Sequence, residues 1–173
     1  MPITLVGATI GSKVNFMTLG WITRVNYKPP MLAAGIHRSH YTIDCIKETK
    51  TFSVNFPSVD MMEKTDYCGL VSGKNTDKSN VFEVFYGELK TAPMIKDCPL
   101  CLECELVDTY EKLPTNSIFI GEIMGAYTED RYLTDGKLER CARSLMLKTG
   151  STRVVVTFFR GTPTTTPVPL FKT

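Results

Sequence analysis

The chain has 173 residues, of which 43% are hydrophobic and 22% charged, enough for one domain with a sizeable core. Its 20 basic and 18 acidic side chains are mixed along the chain, which argues against a nucleic-acid partner. No apolar stretch approaches the roughly 20 residues of a membrane-spanning helix, and the N-terminus lacks signal-peptide features, so we expect a cytoplasmic protein without a membrane partner.

The first half of the chain is predicted to hold four short strands and two helices. Apolar periodicity and the flanking proline and glycine residues set their bounds. In chain order they are strands at Ile3–Gly7, Val14–Trp21 and Met31–Ile36, a helix at 41–50, a strand at Thr51–Pro57 and a helix at 58–73. Ser58 or Asp60 is expected near the start of the second helix, and Gly73–Asn80 is a polar loop.

Two long strands are predicted in the second half, over residues 99–111 and 116–130. Alternation places Leu100, Leu102, Cys104 and Leu106 on one face of the first, and separates Ile118 and Ile120 from Phe119 and Ile123 in the second. Asp135-Gly136 predicts a tight turn, Thr152–Phe159 a last β-run, and residues 161–173, with three prolines, an extended tail. These elements predict a single, mainly β domain over residues 1–173, a mostly antiparallel sheet or β-barrel with a few helices.

The six cysteines include Cys98, Cys101 and Cys104, a spacing also found in zinc and iron–sulfur sites. If one strand runs through all three, Cys98 and Cys104 share a face, Cys101 lies on the other, and the outer pair is ~20 Å apart. One metal ion cannot bridge that distance. We therefore expect small buried hydrophobic roles for these cysteines, with a metal- or cluster-binding redox protein as the alternative.

The segment Arg38–Thr42 lies between a predicted strand and a predicted helix. Arg38 offers a forked cation, Ser39 and Thr42 offer hydroxyls, and the first helical turn offers N–H groups, which together suit a phosphate. Taken alone, the segment favours simple capping by Ser39 or Thr42. Asn55 stands inside a β-run, where it is either a structural amide or a ligand contact. The chain contains neither a P-loop nor a dinucleotide fingerprint.

In their order and spacing, several segments resemble the flavin-reductase-like, FMN-binding split-barrel family, and within it the flavoredoxin type. The matching segments are Val6–Ala8, Asn15–Trp21, Lys28–Ile36, Arg38–Thr42, Ile46–Ser58 and Val71–Lys78. The resemblance implies an antiparallel split barrel, usually a homodimer, with FMN at or near the subunit interface.

The resemblance also implies a set of site residues. Asn15, Met17 and Thr18 would line the flavin, Trp21 would pack nearby or in the core, Asn55 would face the ring, and Arg38, Ser39 and Thr42 would receive the phosphate. The full set of expected cofactor-binding residues is Asn15, Phe16, Met17, Thr18, Trp21, Arg38, Ser39, His40, Thr42, Asn55 and Lys78. No catalytic acid or base and no metal ligand is assigned.

The implied activity is transfer of electrons or hydride through bound FMN. Members of the family include NAD(P)H:flavin reductases and proteins that hold FMN tightly and pass electrons to other proteins. We therefore expect NAD(P)H or a redox protein as the donor. Besides the metal or iron–sulfur protein, a non-enzymatic β-barrel binding module is an alternative.

Overall fold

The structure is a computed structural model that describes residues 2–134, 137–138 and 157–158. Its elements in chain order are β1 (Thr4–Ile10), β2 (Lys13–Leu19), β3 (Ile22–Asn26), β4 (Met31–His37), α1 (Thr42–Thr49), β5 (Thr51–Phe56), a 3-10 turn (Val59–Met61), α2 (Met62–Leu70), β6 (Val84–Phe85), β7 (Met94–Ile95), β8 (Leu100–Tyr110), β9 (Asn116–Thr128), a 3-10 turn (Asp130–Tyr132), β10 (Leu133–Thr134), β11 (Lys137–Leu138) and β12 (Thr157–Phe158). No helix of these residues has the length and apolar character to cross a membrane.

One large sheet organises the domain, with the strand order β2-β1-β5-β8-β9-β4-β3. All neighbours along this path are antiparallel, and β12 pairs in parallel with β9 at Tyr127 and Thr128. Strands β2 and β3 lie at opposite ends of the path, yet only Gly20 and Trp21 separate them in the chain. The sheet must therefore curl round until its two edges meet, which confirms the expected mainly β, antiparallel split barrel.

Two apolar clusters pack against opposite faces of the central strands. The larger includes Val6, Phe52 and Phe119 together with buried residues of α1, and the smaller includes Leu5 and Phe16. Because successive strand residues point to opposite faces, β1 serves both clusters, and six of its seven residues are buried. This double burial explains why β1 has apolar residues on both of its faces. All six β5 residues are also buried, and the apolar ones belong to the larger cluster.

A buried carboxylate holds the irregular segment between β6 and β7. Glu103 of β8 is 1% exposed, and its Oε1 accepts hydrogen bonds from Glu88 N at 3.1 Å and from the Tyr127 hydroxyl. Its Oε2 accepts a hydrogen bond from Leu89 N at 3.2 Å. Gly125 allows this approach, since a Cβ there would lie 2.7 Å from Glu103 Oε1. Residues 88 and 89 are thereby fastened to the sheet.

Several element predictions need correction. Strand β3 was not predicted, and the helix expected at 58–73 is a 3-10 turn followed by α2, which ends at Leu70. The prediction that Cys98 and Cys104 share a strand face is wrong, because β8 begins only at Leu100. Cys98 precedes the strand and packs with Cys101 in the smaller cluster, while Cys104 lies in the larger.

The predicted alternation in the second long strand is confirmed, and the remaining predictions concern residues that the structure does not describe. Phe119 is buried between half-buried Ile118 and Ile120, as alternation predicts. The turn at Asp135-Gly136, Thr152–Phe159 apart from positions 157 and 158, and the tail at 161–173 lie outside the described residues.

Candidate functional site

A cleft with about 30 Å³ of enclosed space opens where strand β2 meets the start of α1 and the end of α2. Its walls come from β2, from the start of α1, from the end of α2 and from the loop that follows α2. The lining residues are Asn15, Met17 and Thr18, then His40, Tyr41 and Thr42, then Cys68, Gly69, Val71, Ser72, Gly73 and Lys78. The cleft therefore contains six of the expected cofactor-binding residues: Asn15, Met17, Thr18, His40, Thr42 and Lys78.

Asn15 supplies a polar atom to the cleft that the protein leaves without a partner. Its side chain is 4% exposed, its Nδ2 donates to Thr42 Oγ1 at 2.8 Å, and its Oδ1 has no hydrogen-bond partner. Turning the amide by 180° would let the carbonyl accept from the Thr42 hydroxyl and leave the NH₂ unpartnered instead. In either orientation one buried polar atom of the amide lacks a hydrogen-bond partner. Such an atom lowers stability, and a bound ligand that supplies a hydrogen bond would remove this penalty.

Gly73 permits the close approach of the loop to Asn15. A Cβ at position 73 would lie 2.7 Å from Asn15 Cγ and 3.2 Å from Tyr41 Cδ1. A larger residue would push the loop away from β2. The narrow end of the cleft therefore depends on glycine at this position.

Lys78 brings a buried positive charge to the cleft. It is 2% exposed, and its Nζ donates to Phe16 O at 2.9 Å and to Cys68 O at 3.0 Å, so it joins β2 to α2. Burial lowers the pKa of Lys78 and raises that of the Cys68 thiol. An ammonium has three N–H donors, and two are used here, so one remains for a ligand.

The cleft is electrostatically suited to an anion. Its lining contains Lys78 and His40 and no Asp or Glu. Tyr41 and Thr42 place the N-terminus of α1 at the wall, and no side chain caps that helix, contrary to the capping interpretation of Ser39 or Thr42. Partial burial, then the nearby His37 and Lys78 charges, lower the pKa of His40.

Five of the expected site residues lie outside the cleft walls. Phe16 is buried against Phe82, and only its carbonyl faces Lys78. Trp21 is 61% exposed, packs beside Gly35 and is not a core residue. Asn55 is a structural amide: it donates to Leu5 O at 3.0 Å and to Ser53 Oγ at 2.8 Å, and accepts from Ile95 N at 3.0 Å.

Of the residues expected to bind phosphate, Arg38 and Ser39 lie outside the cleft, whereas Thr42 lines it. The guanidinium of Arg38 donates to Glu111 O, and its backbone N donates to Thr115 O at 3.0 Å. Ser39 Oγ lies 2.8 Å from His37 Nδ1. Only His40 and Thr42 of the expected set reach the cleft from this segment.

Sequence reasoning missed the part of the cleft that α2 supplies. Gly69 lies against Thr18, where a Cβ would be 3.3 Å from Thr18 Cβ, and the Thr18 hydroxyl donates to Thr65 O. Cys68 and Val71 carry no polar signal that would mark a site. The only available hint was Gly73, which opens a polar loop directly after a predicted helix.

Comparison with known proteins assigns the chain to a family. The family model for the flavin reductase like domain matches residues 1–149. A flavoredoxin from Methanosarcina acetivorans is 58% identical, with a TM-score of 0.79 over 82% of this chain and 76% of that one. A flavoredoxin from Desulfovibrio vulgaris (Miyazaki F) is 32% identical, with a TM-score of 0.72 over 79% and 74%.

A more distant structure shares the fold alone. The FMN-binding protein from Thermus thermophilus is 22% identical, with a TM-score of 0.72 over 76% of this chain and 74% of that one. Together these findings show that the chain belongs to the flavin reductase like domain family, and its flavoredoxin-like neighbours support a flavin-binding redox function.

Proposed function

We propose that this chain binds FMN in the cleft and transfers electrons or hydride in the cytoplasm, with NAD(P)H or a redox protein as donor. The observation that carries the proposal is the unpartnered amide oxygen of Asn15, in a cleft lined by Lys78 and His40 and by no carboxylate. The likeness to two flavoredoxins supports it.

The phosphate of FMN fits the polar end of this cleft. A phosphate monoester carries about −1.5 to −2 charges at pH 7 and three acceptor oxygens. The third N–H of Lys78, the uncapped start of α1, and either the Thr42 hydroxyl or, with the amide turned, the Asn15 NH₂ are donors of the required kind. Their convergence favours phosphate over a neutral ligand.

The ring system would lie toward the less polar part of the cleft. Met17 and Val71 offer apolar surface, and the Thr18 oxygen, whose proton is donated to Thr65 O, remains available as an acceptor. FMN supplies the electron-transfer or hydride-transfer chemistry when it is bound. The residues of the chain hold the phosphate, orient the ring and limit water access on the side of β2 and α2.

We further propose that the protein is a homodimer whose second copy covers the outer part of the flavin. The enclosed space of about 30 Å³ is far below the volume of a ligand site, so much of FMN would project from one chain. Trp21, Val25 and Tyr27 are large exposed hydrophobic residues around β3 and suit a contact between copies. Sedimentation equilibrium should give twice the monomer mass, and a monomer at micromolar concentration contradicts this part.

The decisive experiment is to add FMN or riboflavin to purified protein and record visible spectra after gel filtration. Retained FMN without retained riboflavin supports the phosphate site. Oxidation of NAD(P)H that requires added flavin would identify a reductase with flavin as substrate. Slow bleaching of tightly held FMN by NAD(P)H would favour a protein donor. A colourless protein that ignores FMN would overturn the proposal in favour of a non-flavin binding module.

The two hydroxyls of the Arg38–Thr42 segment should behave differently. Thr42→Val removes a hydroxyl at the cleft wall and should weaken FMN binding by about 0.5–1.5 kcal/mol, the usual worth of a hydrogen bond. Ser39→Ala is the matched control, because that hydroxyl faces His37 outside the cleft. Fluorescence titration with FMN measures both, and equal losses would show that the phosphate lies elsewhere in the segment.

FMN affinity should depend on the protonation of His40. Its pKa is lowered without ligand, and a phosphate beside it would raise that pKa, so binding takes up a proton. Affinity should therefore increase as pH falls from about 8 to about 6.5, while most of the phosphate remains doubly charged. His40→Gln should flatten this dependence, and riboflavin should show little of it. Identical pH profiles for wild type and His40→Gln would remove His40 from the site.

A further inference from the structure

Three sulfur-containing side chains of the smaller apolar cluster lie outside the walls of the cleft. Cys98 is 2% exposed and Cys101 1%, and Met61 is buried beside them. Cys98 Sγ lies 3.8 Å from Met61 Sδ. Cys101 belongs to the same cluster, and its thiol donates to Ile95 O at 3.2 Å. Burial raises the pKa of the Cys98 thiol, and Cys101 lies near enough to raise that pKa further. Three sulfur side chains from two separate segments therefore converge within one buried site.

We propose that Met61, Cys98 and Cys101 form a binding site for one soft monovalent cation of the Cu(I) class. Thiolate and thioether sulfurs are the ligands that select such ions. Sulfurs bound to one ion at about 2.3 Å in a trigonal arrangement lie about 4 Å apart. The 3.8 Å between Cys98 Sγ and Met61 Sδ matches one edge of that triangle, and Cys101 would complete it by giving up its hydrogen bond to Ile95 O.

The donor set argues against the harder or larger metal centres. Zinc and iron–sulfur sites ordinarily use four ligands drawn from cysteine, histidine and carboxylates. Among the residues that the structure describes, no group of three or more His, Cys, Asp or Glu side chains is arranged for a metal ion. Two cysteines and a methionine suit an ion that accepts two or three sulfur ligands.

The site has a route to solvent through the turn that precedes β8. Lys96 and Asp97 are exposed in this turn, and Cys98 follows directly. Opening of a surface turn costs less than global unfolding, so an ion can reach the sulfurs without loss of the barrel. Binding must displace thiol protons, so affinity should increase with pH.

The test is an anaerobic competition for Cu(I) between the full-length protein and a coloured Cu(I) chelator. Wild type should withhold one Cu(I) per chain. Cys98→Ser and Cys101→Ser should weaken binding by more than the roughly 10–100-fold that loss of an outer-shell partner costs, and Met61→Leu should weaken it less. Cys45→Ser is the matched control, because Cys45 is equally buried but lies in the larger cluster. Cys141→Ser separates any contribution of that cysteine.

A second measurement uses only the wild-type chain, in case a variant does not fold. Bound Cu(I) should slow alkylation of Cys98 and Cys101 during partial unfolding, relative to Cys45 and Cys104, as mapped by mass spectrometry. Failure of the wild type to withhold Cu(I), or undiminished binding by the Cys98→Ser/Cys101→Ser double variant, would overturn the proposal. Neither result bears on FMN binding, which is measured separately.

Discussion

Replacing Lys78 by methionine should weaken FMN binding more than any other single change in the cleft. The substitution keeps the buried apolar stem but removes the only buried cation of the lining and the donor to Phe16 O and Cys68 O. A hydrogen bond from a charged group contributes about 1.5–3 kcal/mol, which predicts an increase of about 10- to 150-fold in Kd for FMN.

The structural cost of this change must be separated from its effect on the ligand. Two buried carbonyls lose a donor in Lys78→Met, so the free energy of unfolding should also fall, by about 1–3 kcal/mol. Riboflavin distinguishes the two effects, because it shares the ring and lacks the phosphate. Lys74→Met is the control, since Lys74 is exposed in the same loop. Equal weakening of FMN and riboflavin would mean that Lys78 supports the fold and not the phosphate.

Glu103→Ala should be among the most destabilising substitutions outside the cleft. It removes the acceptor for Glu88 N, Leu89 N and the Tyr127 hydroxyl and leaves a cavity at the level of the sheet. Loss of several buried hydrogen bonds together with the cavity should lower the free energy of unfolding by about 2–4 kcal/mol. Urea unfolding followed by circular dichroism measures the loss.

Two further substitutions test whether the buried carboxylate of Glu103 causes that loss of stability. Glu103→Gln preserves the volume and one acceptor oxygen, so it should cost about half as much. Glu105→Ala, two residues along the same strand, removes an exposed carboxylate and should change stability by less than about 0.5 kcal/mol. If Glu103→Ala and Glu105→Ala were equally mild, the segment between β6 and β7 would be held by other contacts.

The strand pattern could be predicted where each strand is long or doubly buried. Strands β5, β8 and β9 are continuous runs of apolar or alternating residues, and their bounds were predicted to within a few residues. Strand β3 was not predicted, because its polar residues Thr23, Arg24 and Asn26 give this short edge strand the composition of a turn. Its strand character comes from pairing with β4, which is a tertiary effect.

The candidate site was partly predictable for a similar reason. Asn15 and Thr42 are polar residues at the ends of apolar runs, and the structure joins them by a hydrogen bond. Arg38 and Asn55 are also polar residues beside or within apolar runs, but their partners, Glu111 O and Ile95 N, come from distant segments of the chain. When the hydrogen-bond partner lies far away in the sequence, the residues around a polar side chain cannot show whether that side chain serves the fold or a ligand.

The strand order of the sheet has a consequence for how the chain folds. The β1–β2 and β8–β9 hairpins join neighbouring segments, whereas β4 must find β9 across the chain, with Met31 opposite Glu122. Bringing β4 and β9 together closes a long loop, and the chain loses conformational entropy before the contacts between the two strands have formed. Domains with such high contact order fold on a scale of roughly milliseconds to seconds. The meeting of β4 with β9, and not formation of either hairpin, should therefore limit the rate at which the barrel forms.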